Sequence, residues 1–252
     1  MKKLKLTLVA LGLIFTSYTF AQDITPDEIL ENYFENTGGK EAWENLKGIK
    51  MIAKVNQGGM EIPLEIVSLA DGRQYTKFEV QGTTFMQGVY DGETLWSTNF
   101  QSMKAEKADA ESTSNQALDA NDFPESLLNY KDKGYTLEMM GTETVEGTET
   151  YKLKLTREPR TVDGQKIEDI TYYYFDMDNF VPIVQEREIF EGPQKGAIGV
   201  YTMSDYDEVD GLYFPFSMTQ GIKGAGSQPL MIESIEVNPE VNDSDFAFPA
   251  GQ

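Results

Sequence analysis

The sequence predicts a mainly β fold, α+β in content, built as one large curved antiparallel sheet with two or three helices on its hollow side. Three observations predict it. Short runs of aromatic and β-branched residues are separated by turn pairs such as Asp71-Gly72, Asp91-Gly92, Asp163-Gly164 and Asp210-Gly211. No crossover helix separates successive runs, as parallel strands would need. Several runs are apolar on both faces, so part of the sheet is covered on both sides or turns one side to a ligand.

The elements follow in chain order. Thr25 can cap a helix, Pro26 suits its first position and Glu28 completes a capping box. Ile29, Leu30, Tyr33 and Phe34 form one helical stripe, and Gly38-Gly39 ends it. A short second helix is expected over 41–47, with Trp43 and Leu46 inward. From Gly48 the period changes to two. Ile49, Met51, Ala53 and Val55 run out, and Met60, Ile62, Leu64 and Ile66 run back after Gly58-Gly59. Further strands are expected over 73–81, 83–90 and 93–97.

The meander then breaks. Residues 101–133 carry no strand pattern; 102–121 are polar, at best a weak helix or loose loop. Residues 122–130 read as a short capped helix with Phe123, Leu127, Leu128 and Tyr130 inward. The segment is expected to act as a lid over one sheet face. Strands resume at 135–139 and 151–155, followed by the densest stretch of the chain, Glu168 to Thr219. There Leu212, Phe214, Phe216 and Met218 share one face, while Thr171-Tyr172-Tyr173-Tyr174-Phe175 has aromatics on both. A last strand is expected over 230–237, before a tail ending Phe246-Ala247-Phe248-Pro249.

Composition excludes much chemistry. The 252 residues contain neither cysteine nor histidine, which removes disulfides, thiol nucleophiles, the usual neutral-pH base and the commonest metal ligand. Lys2, Lys3 and Lys5, the apolar run 6–15 and Thr19-Phe20-Ala21 form a signal peptide with cleavage expected after Ala21. Loss of those three lysines takes the net charge from −21 to −24, which disfavours nucleic acid and anionic surfaces. Asp176-x-Asp178-Asn179 and Asp243-x-Asp245 lack the glycine and distal glutamate of a calcium loop and read as turns. Glu186 and Glu188 share a strand face, as glycosidase carboxylates could. Among 42 acidic residues such a pair arises by chance, and no catalysis is expected.

At Asp91-Gly92-Glu93-Thr94-Leu95-Trp96-Ser97-Thr98-Asn99 the chain resembles the LolA-type periplasmic lipoprotein carriers. The run Asp205 to Phe216, with Tyr172 to Phe175 and Asp176 to Pro182, is similar to the outer membrane lipoprotein-sorting branch seen in Bacteroidetes. The resemblance covers the mature chain, 22–252, as one domain. It implies an unclosed antiparallel β-barrel of about eleven strands, of the LolA, LolB and LppX kind, with helices covering the concave face. It further implies a periplasmic location, no cofactor and no catalysis, and the chain is expected to be a monomer. Its partners would be lipid or lipoprotein acyl chains and an inner- or outer-membrane transfer partner. The carriers latch their lid with an arginine in a Lys-Arg-Pro-Asn turn; here that turn reads Leu69-Ala70-Asp71-Gly72-Arg73.

The residues expected to line an acyl-chain cavity are Phe78, Val80, Met86, Trp96, Phe123, Leu127, Met139, Tyr173, Phe214 and Phe216. Ten methionines, Met51 to Met231, suit an adaptable apolar wall, although methionine also fills ordinary core gaps. A second reading stands beside the carrier: an envelope interaction or stress-sensor module whose concave face is filled by its own core.

Overall fold

A computed structural model describes residues 24–249; the expected signal peptide, residues 1–21, lies outside them. Helix α1 (Pro26–Asn36) opens with the capping box: Glu28 N donates to Thr25 Oγ1 at 3.2 Å and Thr25 N donates to Glu28 Oε2 at 2.8 Å. It buries Ile29, Leu30, Tyr33 and Phe34. Helix α2 (Lys40–Glu44) buries Trp43, whose Nε1 donates to the Thr37 carbonyl at 3.2 Å. Gly38 permits a close approach here. A Cβ at that position would lie 2.2 Å from the Gly211 carbonyl oxygen, and its φ of 114° also favours glycine.

One antiparallel sheet holds thirteen strands. The first six are β1 (Gly48–Gln57), β2 (Met60–Leu69), β3 (Gln74–Val80), β4 (Thr83–Tyr90), β5 (Leu95–Thr98) and β6 (Ala105–Lys107). After helix α3 (Ala110–Ala120) come β7 (Thr136–Val145), β8 (Thr148–Val162), β9 (Gln165–Asp176) and β10 (Pro182–Glu188), then β11 (Ile198–Val209), β12 (Leu212–Ile222) and β13 (Ser227–Val237). Strands β1–β6 form one meander and β7–β13 another; β1 pairs with β13 and joins them. The sheet ends at β6 and β7 and is open. Thirteen strands correct the expected eleven. Three-residue β6 has no apolar alternation to reveal it.

The two faces carry separate cores. The inner one gathers α1, α2, Leu127, Leu128, Leu153, Leu155, Phe175 and Phe214. Register fixes its side of the sheet: Ile49, Met51 and Ala53 stand opposite Ser68, Ile66 and Leu64 of β2. The other core lies on the outer face, where Val67, Leu69, Tyr75, Val89 and Trp96 are covered by Phe246 of the C-terminal tail. Trp96 Nε1 donates to the Phe246 carbonyl at 3.0 Å. The aromatics on both faces of β9 are explained in the same way. Tyr173 and Phe175 enter the inner core, while Lys152 spreads over the rings of Tyr172 and Tyr174 outside.

The expected helix over 122–130 does not form. Residues 122–134 pass through consecutive turns, and α3 lies earlier. Pro124 disfavours helical backbone at Phe123, and Asn129 takes a left-handed φ of 53°. The expected inward residues still pack there: Leu127, Leu128 and Tyr130 are buried.

Candidate ligand chamber

The inner face retains open space beside its core. A chamber of about 410 Å³ lies between the 119–126 segment, α1 and the sheet. Tyr33, Trp43, Ile49, Met51, Phe123, Tyr173, Tyr206 and Phe214 supply its aromatic and aliphatic wall. A second chamber, about 590 Å³, is lined by Val55, Leu64, Ile66, Thr76, Tyr201, Ile222 and Leu230. The two follow one another along the strands. Ser68, Gln74 and Met203 line the first, and Ile66, Thr76 and Tyr201, each two residues further along, line the second. A two-residue step keeps the same face and covers roughly 7 Å. The two chambers therefore lie in line over the inner face, and each falls in the size range of ligand sites.

Toward one end the inner face becomes polar. Along β9 the inward positions read Phe175, Tyr173, Thr171 and Asp169, all buried. Arg157 of β8 stands directly opposite Asp169, and Arg187 of β10 stands opposite Thr171. Asp169 accepts from Arg157 Nη2 at 2.8 Å, Arg160 Nε at 3.0 Å and Arg187 Nη2 at 2.6 Å. Burial alone would raise the Asp169 pKa, but the hydrogen bonds of Arg187 and the charges of all three arginines hold it below the usual carboxylate value. The same guanidinium groups reach the covering segment. Arg157 Nη1 donates to Asp122 Oδ2 at 2.6 Å and Arg160 Nη2 to Asp119 Oδ1 at 2.7 Å.

Glu125 lies in the covering segment and lines the first chamber. Tyr33 donates to its Oε2 at 3.1 Å, while Oε1 is buried without a hydrogen-bond partner among the described residues. Burial pushes this carboxyl up to about 7, against smaller opposing effects of the Tyr33 bond and the Lys133 charge. Ser126 and Tyr173 share a hydroxyl hydrogen bond of 2.7 Å, and Tyr135 donates to Asp122 at 3.0 Å.

Polar contacts also dock α3. Asp109 caps it, and its one fully buried residue is Asn115. The Asn115 amide exchanges two hydrogen bonds with the Thr161 backbone, at 2.7 and 3.0 Å. Glu111 accepts from the Asp163 and Gly164 amides at the β8–β9 turn. At the other end Ala120 packs on Gly72, where an added Cβ would come within 2.9 Å. Arg73, in that turn, ion-pairs with Asp71 and Asp243 and lies over Phe246. The turn thus meets the cover through a glycine, and its arginine fastens the tail.

The expected cavity residues divide between the faces. Phe123, Tyr173 and Phe214 line the first chamber. Leu127, Met139 and Phe216 join the inner core. Phe78 pairs with inward Leu64, so Val80 two residues on shares its face; Phe78 stacks on Phe85 at 5.5 Å. Met86 and Trp96 belong to the outer cluster. Opposite β4, the pairing slips between Gln74 and Thr76, and Gly88 has a φ of 56°. This bulge brings Met86 and Val89 to one side. Pattern reading missed Glu125, Tyr206, Arg157, Arg187, Asp119 and Asp122. Arg157, on the same face of its strand as Leu153 and Leu155, and Asp169, on the same face as Tyr173 and Phe175, were the available signal.

No protein-family model and no curated protein matches the chain. Solved structures do. A LolA superfamily protein from Nitrosomonas europaea is 13% identical with a TM-score of 0.53, over 89% of this chain and 98% of that one. A DUF1329 family protein from Desulfovibrio piger is 14% identical with a TM-score of 0.53, over 84% and 95%. An outer membrane lipoprotein-sorting protein domain from Vibrio parahaemolyticus is 14% identical with a TM-score of 0.51, over 87% and 94%. The chain has a LolA-like fold.

Proposed function

We propose that this LolA-like chain is a periplasmic, non-enzymatic carrier or binding protein for lipids or lipidated proteins. The observation that carries the proposal is the pair of chambers in line along the inner face, the first of them beneath a cover docked by polar groups. Acyl chains would leave water there. Ten buried methylenes contribute roughly 8 kcal/mol before the costs of binding. The name of the Vibrio relative, lipoprotein sorting, supports the same reading, as does the signal-peptide grammar at 1–21. The segment 101–133, expected as a lid, supplies α3 and the 122–134 turns, which cover the first chamber.

A second reading has its own observation. The end of the hollow beneath α1 and α2 is filled by the protein's own Phe34, Trp43, Leu127 and Phe175, as a self-filled interaction or sensor module would require. Native mass spectrometry of protein purified from the envelope discriminates the two. A carrier retains lipid mass and binds an acyl-chain fluorescent probe that added lipid displaces. No retained lipid and no probe binding would overturn the carrier reading.

A further inference from the structure

We propose that Arg157, Arg160 and Arg187 form a binding site for an oxyanion, the phosphate or carboxylate headgroup of an amphiphile, and that Asp119 and Asp122 of the cover occupy this site while it is closed. The proposal rests on the carrier reading and deepens it by naming the headgroup chemistry and the direction in which the ligand lies.

Charge balance is the first argument. Strands β8 and β10 supply three guanidinium groups, and β9 supplies one carboxylate, Asp169. The other two acids in contact with the arginines come from the cover: Asp119 in the last turn of α3 and Asp122 just after it. When the cover lifts, three arginines are left with one aspartate. A buried charge left unpaired is strongly destabilising. Either the cover stays shut or another anion takes the place of its two carboxylates.

Geometry is the second argument. The Asp169 side chain is 3% exposed, whereas that of Asp119 is 33% exposed, so one acid is fixed and the other stands at an accessible margin. Arg157, 8% exposed, also keeps Nε buried without a hydrogen-bond partner among the described residues. Arginine forks fit phosphate and carboxylate alike, so an aspartate can hold a place that a headgroup would fill. Arg157, Arg187, Asp119 and Asp122 all line the first chamber, so a headgroup there reaches the cluster directly. Its chain would then extend along the strands toward Ile66 and Leu230 in the second chamber. Glu125 shares the first chamber; in its protonated form it presents a donor to the anion.

The test compares three ligands of equal chain length, dodecyl phosphate, dodecanoate and dodecanol, on the purified protein by calorimetry, with inorganic phosphate as a free-anion control. Both anionic amphiphiles are expected to bind at least about tenfold more tightly than dodecanol, the scale of one net charge-assisted hydrogen bond. Asp119→Asn, which weakens the closed form, should increase that ratio. Arg187→Gln should bring it toward one. Equal affinity for all three ligands, or a ratio unmoved in both variants, overturns the oxyanion site while leaving the carrier reading intact. Binding of none of them overturns both. Inorganic phosphate binding as tightly as dodecyl phosphate would make the ligand a free anion and overturn the headgroup assignment.

Discussion

Glu125→Gln should make the protein more stable at pH 8 and leave it nearly unchanged at pH 4. The glutamine keeps the shape of the side chain and an oxygen for the Tyr33 hydroxyl, which donates to Glu125 at 3.1 Å. It removes a carboxyl that burial has pushed from an ordinary 4.5 to about 7. The direction follows from proton linkage. Below pH 4.5 folded and unfolded chains both hold the proton, and the raised pKa is without cost. As pH rises toward 7 the unfolded chain releases the proton while the folded chain retains it, and stability falls; above 7 the full cost applies. The shift corresponds to roughly 3 kcal/mol, or a melting difference of roughly 6–12 °C in a domain of this size. Urea unfolding of both proteins from pH 4 to 8 measures it. Each proton-linked group elsewhere cancels in the difference, so the gap between variant and parent should open over pH 4.5–7. A gap that does not change with pH would refute the buried-carboxyl argument.

Two further perturbations address the rest of the site and its surroundings. Asp169→Asn leaves three arginines without their fixed counter-ion and should cost about 3–5 kcal/mol at pH 7 in urea unfolding. Because the Asp169 pKa is lowered, its contribution is complete above the ordinary value of 3.8 and is lost as pH falls through the lower folded value, so the two proteins should converge in acid. Trp96→Phe loses the 3.0 Å bond to the Phe246 carbonyl and should cost about 1 kcal/mol while probe binding is retained, because the ring lies on the outer face. Lost binding in a folded Trp96→Phe protein would contradict that placement.

Much of the sheet was legible because alternation and turn chemistry agree residue by residue. The face of Leu212, Phe214, Phe216 and Met218 does pack on the inner core, and the stripe Ile29, Leu30, Tyr33 and Phe34 is the buried face of α1. Alternation alone could not say which face of a strand is concave. Met86 and Trp96 look like cavity residues until register and the Gly88 bulge assign them to the tail's side. Nor could it reveal that a tail ending Phe246-Ala247-Phe248 would cover that side.

The cover was the least legible part, for a physical reason. A helix is found in sequence by the apolar stripe it buries, and α3 has none. It is attached by the Asn115 amide on the Thr161 backbone, by Glu111 on the β8–β9 turn and by Asp119 on arginines. Apolar docking would bury surface that water receives poorly, so lifting such a helix would be costly. The hydrogen bonds of Asn115 and Glu111 exchange with water at a much smaller net cost, whereas the ion pairs of Asp119 and Asp122 with the buried arginines hold the cover until another anion replaces them. The polarity that hides α3 from periodicity is therefore the property that suits it to open, and an anion able to replace Asp119 and Asp122 would lower the remaining cost.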